Sequence, residues 1–376
     1  MRIAVNTRLL LEGKLEGIGW FTYESLQRIT TQHPEHEFLF LFDRPYSKQF
    51  VFAPNVTPVV TGPPSRHPFL WYWWFEFSVP AALRKHKADI FLSPDGYLSL
   101  RSAVPSIAVI HDINFEHYPK DLPFLFRKYY RHFFPRYAQK ADRIATVSTF
   151  SKHDIAEHYG VNPEKIDVVY NGANERYRPI DANSIASTRA EMTDGAPYFL
   201  FIGALHPRKN IARMLLAYDQ FRKQSDSKVK LLIVGGKKWW TGDMKTAFEG
   251  MQFQQDVIFA GRIAPEKLHH VIAAAMALVY VSYFEGFGIP ILEALKCDVP
   301  VITSDATSMP EVAGKAALLV DPFSTESIAT AMQQMAEKPE LRAELIAAGR
   351  KQSQQFSWQQ TADRLWQTIE QVMGTH

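Results

Sequence analysis

Twelve short apolar runs punctuate the chain. They fall at 3–5, 38–42, 89–92, 106–110, 143–147 and 166–170, then at 198–202, 230–234, 257–259, 277–281, 299–303 and 316–320. They are rich in β-branched and aromatic residues and bounded by Gly, Pro, Asp or Asn, as strands buried on both faces are. Longer stretches of helical periodicity lie between them, among them 209–223, 265–275 and 290–297. Alternation of this kind predicts a parallel sheet with helices on both faces, here twice, with about six strands each time. The break falls in the polar stretch 171–196, read as a linker with one short helix. The expected domains are therefore 1–175 and 176–357. A last helix over 358–376, with its stripe of Trp358, Leu365 and Ile369, is expected to pack back on the N-terminal domain. Two doubly wound domains of this type bind ligands at the carboxyl ends of their strands, in the cleft between them.

Composition narrows the class. A chain of 376 residues predicts about two domains. With 22% charged and 46% hydrophobic residues it is globular, not disordered. The net charge, 42 − 39 = +3, is too small to indicate a nucleic-acid partner. It is unevenly spread: residues 1–178 carry 22 basic and 18 acidic side chains, residues 179–376 carry 20 and 21. Cys297 is the one cysteine, so no intramolecular disulfide forms, and it is read as a small core residue. The N-terminus Met1-Arg-Ile-Ala-Val-Asn lacks a signal-peptide pattern, and the longest apolar stretch, 271–284, is shorter than the ~20 residues of a spanning helix. The expectation is a soluble, cytoplasmic protein, with peripheral contact to the inner face of a membrane left open.

Two loops carry candidate chemistry. In Phe284-Glu285-Gly286-Phe287-Gly288-Ile289-Pro290 an apolar run enters a two-glycine turn, with Pro290 where a helix should begin. The glycines let backbone N–H groups approach a ligand, and a helix N-terminus favours an anion. Glu285 and Glu293 frame the loop eight positions apart, and each carboxylate can accept hydrogen bonds from sugar or ribose hydroxyls. The second loop, Gly203-Ala-Leu-His-Pro-Arg208-Lys209-Asn210, delivers two adjacent cations to the start of a helix, a diphosphate clamp in outline. Such a clamp stabilises charge on a departing diphosphate.

Together these loops resemble the family-four, nucleotide-sugar-dependent glycosyltransferases of GT-B fold. Weaker marks follow in order along the chain: Gly17-Ile-Gly19, Ile110-His111-Asp112, Thr146-Val-Ser148, Asn171-Gly172, Ser304-Asp305 and Phe356-Ser-Trp358. The resemblance implies two Rossmann-like domains facing across a cleft and an anomer-retaining transfer from a nucleoside diphosphate-sugar donor. It implies that Arg208 and Lys209 hold the diphosphate beside Gly203, and that Glu293 takes the ribose hydroxyls. Glu285 would contact the donor sugar with the backbone of Gly286, Phe287 and Gly288. Gly19 would let an N-domain loop approach the phosphate, and His111 would hold the sugar at the reacting centre. His111, Glu285, Arg208 and Lys209 are the candidate catalytic residues. No Asp-x-Asp occurs and zinc-ligand spacing is missing, so no metal and no cofactor are expected. His269-His270 is read as an ordinary helical pair.

The acceptor, a glycan or lipid-linked saccharide, falls to the N-terminal domain. Asp112 and the aromatic segment 67–77, with Trp71, Trp73 and Trp74, are its candidate contacts. That segment reads either as a packed helix or as a stacking platform or membrane-interface anchor. Residues 120–143 hold seven basic and two acidic side chains; Phe126, Tyr130, Phe133 and Tyr137 form one helical face, and Pro135 should end or kink the helix. This region reads either as a solvated helix with a buried stripe or as a basic amphipathic helix on anionic lipid. The overall reading is transfer of a hexosyl unit (mannosyl, glucosyl or related) in polysaccharide biosynthesis, without metal and with no nucleic-acid partner. A nucleotide-sugar epimerase and a non-catalytic nucleotide-sugar-binding protein remain the alternatives.

Overall fold

The computed structural model describes residues 1–236 and 240–374. The chain divides into two compact units, Met1–Gly172 with Trp358–His376, and Ala173–Ser357. The linker therefore belongs to the second unit from Ala173 onward, three residues earlier than its composition indicates. Residues 375 and 376 of the expected last helix lie outside the described residues.

Among the described residues, the first unit holds a seven-stranded sheet. Its strands are β1 (Arg2–Asn6), β2 (Glu37–Phe42), β3 (Val56–Val60), β4 (Ile90–Ser93), β5 (Ser106–Val109), β6 (Arg143–Thr146) and β7 (Ile166–Val168), in the order β3-β2-β1-β4-β5-β6-β7. Every pairing is parallel. Strand β3 lacks the apolar run of the others and carries Pro58. It is an edge strand, where one missing N–H is tolerated and one side is open to water, so its pattern is weak. The chain order reverses between β1 and β4, and loops at the strand carboxyl ends diverge there.

The second unit repeats the plan among its described residues. Strands β8 (Tyr198–Ile202), β9 (Lys230–Val234), β10 (Val257–Gly261), β11 (Ala277–Tyr280), β12 (Val301–Ser304) and β13 (Ala317–Val320) form an all-parallel sheet in the order β10-β9-β8-β11-β12-β13. The reversal lies between β8 and β11. Cys297 is buried at the end of helix Ile289–Lys296, as a small core residue is. His269 sits in helix Pro265–Ala273 and its Nε2 donates to the Arg178 carbonyl at 2.8 Å.

Two helices of the first unit need comment. Helix Trp358–Gly374 buries Leu365, Trp366, Ile369 and Val372 and packs on helix Gly17–Gln32. There Trp366 stacks on His33 at 3.6 Å, and Thr361 Oγ1 donates to the Tyr170 carbonyl at 2.6 Å. Of the two expected effects of Pro135, an end or a kink, the end does not occur: helix Phe124–Lys140 runs through it. Proline removes one backbone N–H, but Phe134 and Tyr137 on either side of it are buried in the same aromatic core, and that packing keeps both sides helical. The buried side is Tyr129, Phe134, Tyr137 and Ala138, with Phe126, Tyr130 and Phe133 partly covered, so the stripe is wider than the spacing indicates.

Candidate active site

In the second unit the candidate residues gather at the sheet's reversal point. β8 ends at Gly203, which holds φ +148°, and its N–H donates to the Val234 carbonyl at 3.0 Å. A Cβ on Gly235 would lie 1.8 Å from the Gly203 carbonyl oxygen, so only glycine lets these two loops touch. Arg208 and Lys209 then occupy a single turn of tighter helix, Pro207–Lys209, and the long helix begins only at Ile211. Between them Asn210 takes a left-handed conformation, and its Nδ2 donates to the carbonyls of Val281 (3.0 Å) and Pro322 (2.6 Å). Two distant loops are thereby fixed against the cationic turn.

Glu285, almost fully buried, lies between both cations. Arg208 Nη1 is 2.6 Å from its Oε2 and Lys209 Nζ 2.5 Å from its Oε1. Tyr280, at the end of β11, donates to Oε1 at 3.1 Å and also meets Lys209 Nζ through its hydroxyl. The backbone is held as well: Glu285 N–H donates to Thr307 Oγ1 at 3.3 Å, and Ser308 Oγ donates to the Glu285 carbonyl at 2.9 Å. Burial alone would push the carboxyl up, but Arg208 and Lys209 outweigh it and hold it down at about 2. Tyr280 is driven the other way by burial and by the Glu285 charge, so it stays a neutral phenol.

Gly286 and Phe287 are buried in the following turn, the Phe287 ring meeting Phe356. Gly288 sits at φ +96° immediately before helix Ile289–Lys296. Glu293 lies on that helix, facing Tyr177 and Arg176. Burial pushes its carboxyl up to about 7, opposed by a hydrogen bond from Tyr177 and the charge of Arg176. The structure thus brings Arg208, Lys209, Glu285 and Gly203 together and gives Glu293 separate partners.

In the first unit, His111 follows β5. Its Nε2 lies 2.8 Å from the Pro94 carbonyl and so carries the proton, which leaves Nδ1 as the acceptor when the ring is neutral. Burial depresses its pKa below the usual imidazole range, with Pro94, Asp112 and Asp95 opposing. Phe21 packs edge-on against the ring at 5.0 Å. Asp112 Oδ1 accepts from the Asn114 N–H at 3.0 Å, a turn-forming role. Gly19 is in the first turn of helix Gly17–Gln32, and a Cβ there would meet the Leu9 carbonyl oxygen and Leu15 at 3.2 Å.

The aromatic segment divides. Trp71 and Trp74 are core residues, not a sugar platform: their indole N–H groups donate to the carbonyls of Ser65 (2.9 Å) and Thr61 (2.5 Å), which permits burial of both. Trp73 is 55% exposed. Beneath the segment, at this sheet's own reversal point, Arg8 Nε meets Asp95 Oδ2 at 2.6 Å, and Asn6 Nδ2 donates to Asp95 Oδ1 at 2.7 Å. The rings of Tyr97, Phe75 and Trp71 cover Arg8. Neither this pair nor Tyr280, Tyr177 and Gly235 stands out in the sequence. Tyr280 hides inside an apolar run, and Arg8 and Asp95 are 87 positions apart.

Comparison with known proteins follows the same division. Residues 16–177 match the family model described as Glycosyltransferase Family 4, and residues 187–352 the model described as Glycosyl transferases group 1. The chain is 31% identical over 283 residues to the O-antigen chain mannosyltransferase B of Escherichia coli, covering 74% of this chain and 73% of that one. It is 30% identical to the D-inositol 3-phosphate glycosyltransferase of Rhodococcus opacus over 60% of this chain and 52% of the relative. Among solved structures, sucrose-phosphate synthase from Thermosynechococcus elongatus superposes with a TM-score of 0.79 at 17% identity, covering 100% of both chains. The Anabaena protein HepE, solved with UDP and glucose, does so at 0.77 and 17% identity, over 99% of this chain and 100% of that one.

Proposed function

This chain belongs to glycosyltransferase family 4, and on that premise we propose that it moves a hexosyl unit from a nucleoside diphosphate-sugar to a hydroxyl of a glycan or lipid-linked saccharide. The observation that carries the reading is the meeting of Arg208 and Lys209 on buried Glu285 at the reversal point of the second sheet. A dianionic diphosphate would compete with Glu285 for the same two cations and turn the carboxylate toward the sugar hydroxyls. Once that exchange has occurred on donor binding, the two cations would stabilise the leaving diphosphate without further reorganisation in the chemical step. Glu293 is assigned to the ribose and His111, through Nδ1, to a sugar hydroxyl. Family membership supports retention of the anomeric configuration by substitution on the face the diphosphate leaves. Metal independence is supported by a clamp that already supplies two positive charges and by the lack of an Asp-x-Asp sequence.

The relatives that assemble O-antigen chains support a role in polysaccharide biosynthesis and an acceptor carried on lipid. The enzyme would then work in the cytoplasm at the inner face of the membrane. A thermal-shift screen of nucleoside diphosphates and their sugars tests the donor: a ligand that binds the native state raises the melting temperature. No shift with any nucleotide would overturn the reading. Epimer formation from the donor alone would replace transfer by epimerisation, and loss of activity in EDTA with recovery in manganese would remove the metal-independent step.

A further inference from the structure

The first unit carries an exposed apolar surface that the transfer reaction leaves unused. Phe69, Leu70, Tyr72 and Trp73 project from helix Pro68–Trp73, Phe77 from the turn that follows, and Phe124 and Leu125 from the start of helix Phe124–Lys140. Phe69 is 72% exposed and Phe124 56%. Ring contacts join the two elements: Trp73 meets Phe77 at 4.9 Å, Tyr72 meets both Phe77 and Phe133, and Phe69 stacks on His67, which reaches Phe126. Soluble monomers rarely leave large apolar side chains clustered in this way.

The charges around this surface are mainly cationic, with Arg101 also 3.9 Å from the Glu76 carboxylate. Arg101 lies over the Phe77 ring at 4.4 Å, and Lys128 and Arg127 lie over Phe124 at 4.8 and 5.5 Å. Arg66 and Arg136 are exposed on the same two segments. Between residues 61 and 88 the one carboxylate is Glu76, and it is buried, accepting the Leu100 N–H at 2.9 Å. Between 122 and 141 there is none. Rings at the surface, cations beside them and carboxylates withdrawn are what the interface of an anionic bilayer selects: aromatic side chains settle among headgroups and cations meet lipid phosphate.

We propose that this face of the first unit docks on an anionic lipid bilayer, with Phe69, Leu70, Trp73 and Phe124 entering the headgroup region and Arg101, Arg127 and Lys128 meeting lipid phosphates. The surface stands on its own geometry; only its use, to meet a lipid-borne acceptor, rests on the proposed reaction.

The test is co-sedimentation of the full chain with phosphatidylcholine vesicles, with and without a third of the lipid as phosphatidylglycerol. The chain should sediment with the anionic vesicles, weakly with the neutral ones, and less as salt rises. Phe69→Ser, Leu70→Ser and Phe124→Ser combined should weaken binding about tenfold or more while leaving the melting temperature unchanged, because all three side chains are exposed. Arg127→Glu with Lys128→Glu should abolish the preference for anionic lipid and leave nucleoside diphosphate binding intact. No sedimentation, or equal sedimentation of the apolar variant, would overturn the proposal. So would a homodimer, seen by light scattering, that this variant dissociates, since the face would then belong to a second copy. Vesicle binding needs no donor, and donor binding needs no vesicle, so failure of one is distinct from failure of the other.

Discussion

The two sheets reverse strand order at equivalent places, and each holds an arginine on a buried carboxylate there. In the first unit the pair is Arg8 with Asp95; both side chains are at most 7% exposed, and three aromatic rings close over the guanidinium. In the second, Glu285 meets two cations, and the Arg208 side chain is 24% exposed. The same chemistry therefore serves two ends. A sealed one-to-one pair fixes loops. A carboxylate facing two cations, one of them reachable from solvent, is a site where an incoming anion can exchange partners with it. Access and stoichiometry, not the presence of an ion pair, distinguish the two places.

The contrast is broken most directly at Arg8. Arg8→Ala leaves Asp95 buried and uncompensated, a loss of about 3–5 kcal/mol. Urea unfolding should show it, while nucleoside diphosphate binding by the folded fraction stays as in the parent. Arg208→Ala with Lys209→Ala should do the reverse in calorimetry: nucleoside diphosphate affinity falls at least about a hundredfold, near 3 kcal/mol, and transfer is lost. Unchanged binding in that double variant would remove the clamp assignment. Glu285→Ala alone should lower turnover more than it weakens donor binding.

A third experiment uses acid–base behaviour. Glu285 is depressed from the usual 4.5 to about 2, so its pairing stabilises the fold at neutral pH, and that contribution is lost as pH falls from about 4.5 through about 2. Glu293 is raised to about 7, so the folded state favours its protonated form, and its ionisation costs stability as pH rises from about 4.5 through about 7. Glu293→Gln should flatten the second trend in melting curves at successive pH values. The same variant should weaken nucleoside diphosphate binding at pH 8 more than at pH 6, since only the carboxylate accepts two ribose hydroxyls. The smallest effect is expected of Tyr280→Phe, which removes one neutral donor from Glu285 and one acceptor from Lys209, worth about 1–3 kcal/mol. Its signature is an upward shift of the acid limb of kcat/KM, which loss of packing alone would not produce.

Much of this was legible along the chain. Strands covered on both faces wrote themselves as apolar runs, and edge strand β3, half wet and holding Pro58, did not. The cationic turn was legible because Arg208 and Lys209 are adjacent and follow an apolar run that ends at Gly203. The partners of the clamp were not, because Tyr280 serves the core with its ring and the site with its hydroxyl, and periodicity registers only the ring. The aromatic segment resisted sorting for a different reason. Rings point from every side of it, so no period separates Trp71 and Trp74, which the core covers, from Trp73, which it does not.

Helix Trp358–Gly374 completes the first unit after the whole of the second has been threaded between. During synthesis, the surface of helix Gly17–Gln32 that it covers waits uncovered while 185 intervening residues leave the ribosome. The unit that reads first is thus finished last, and a nascent chain arrested before residue 358 should remain open to protease there and recruit chaperones that the full-length chain does not.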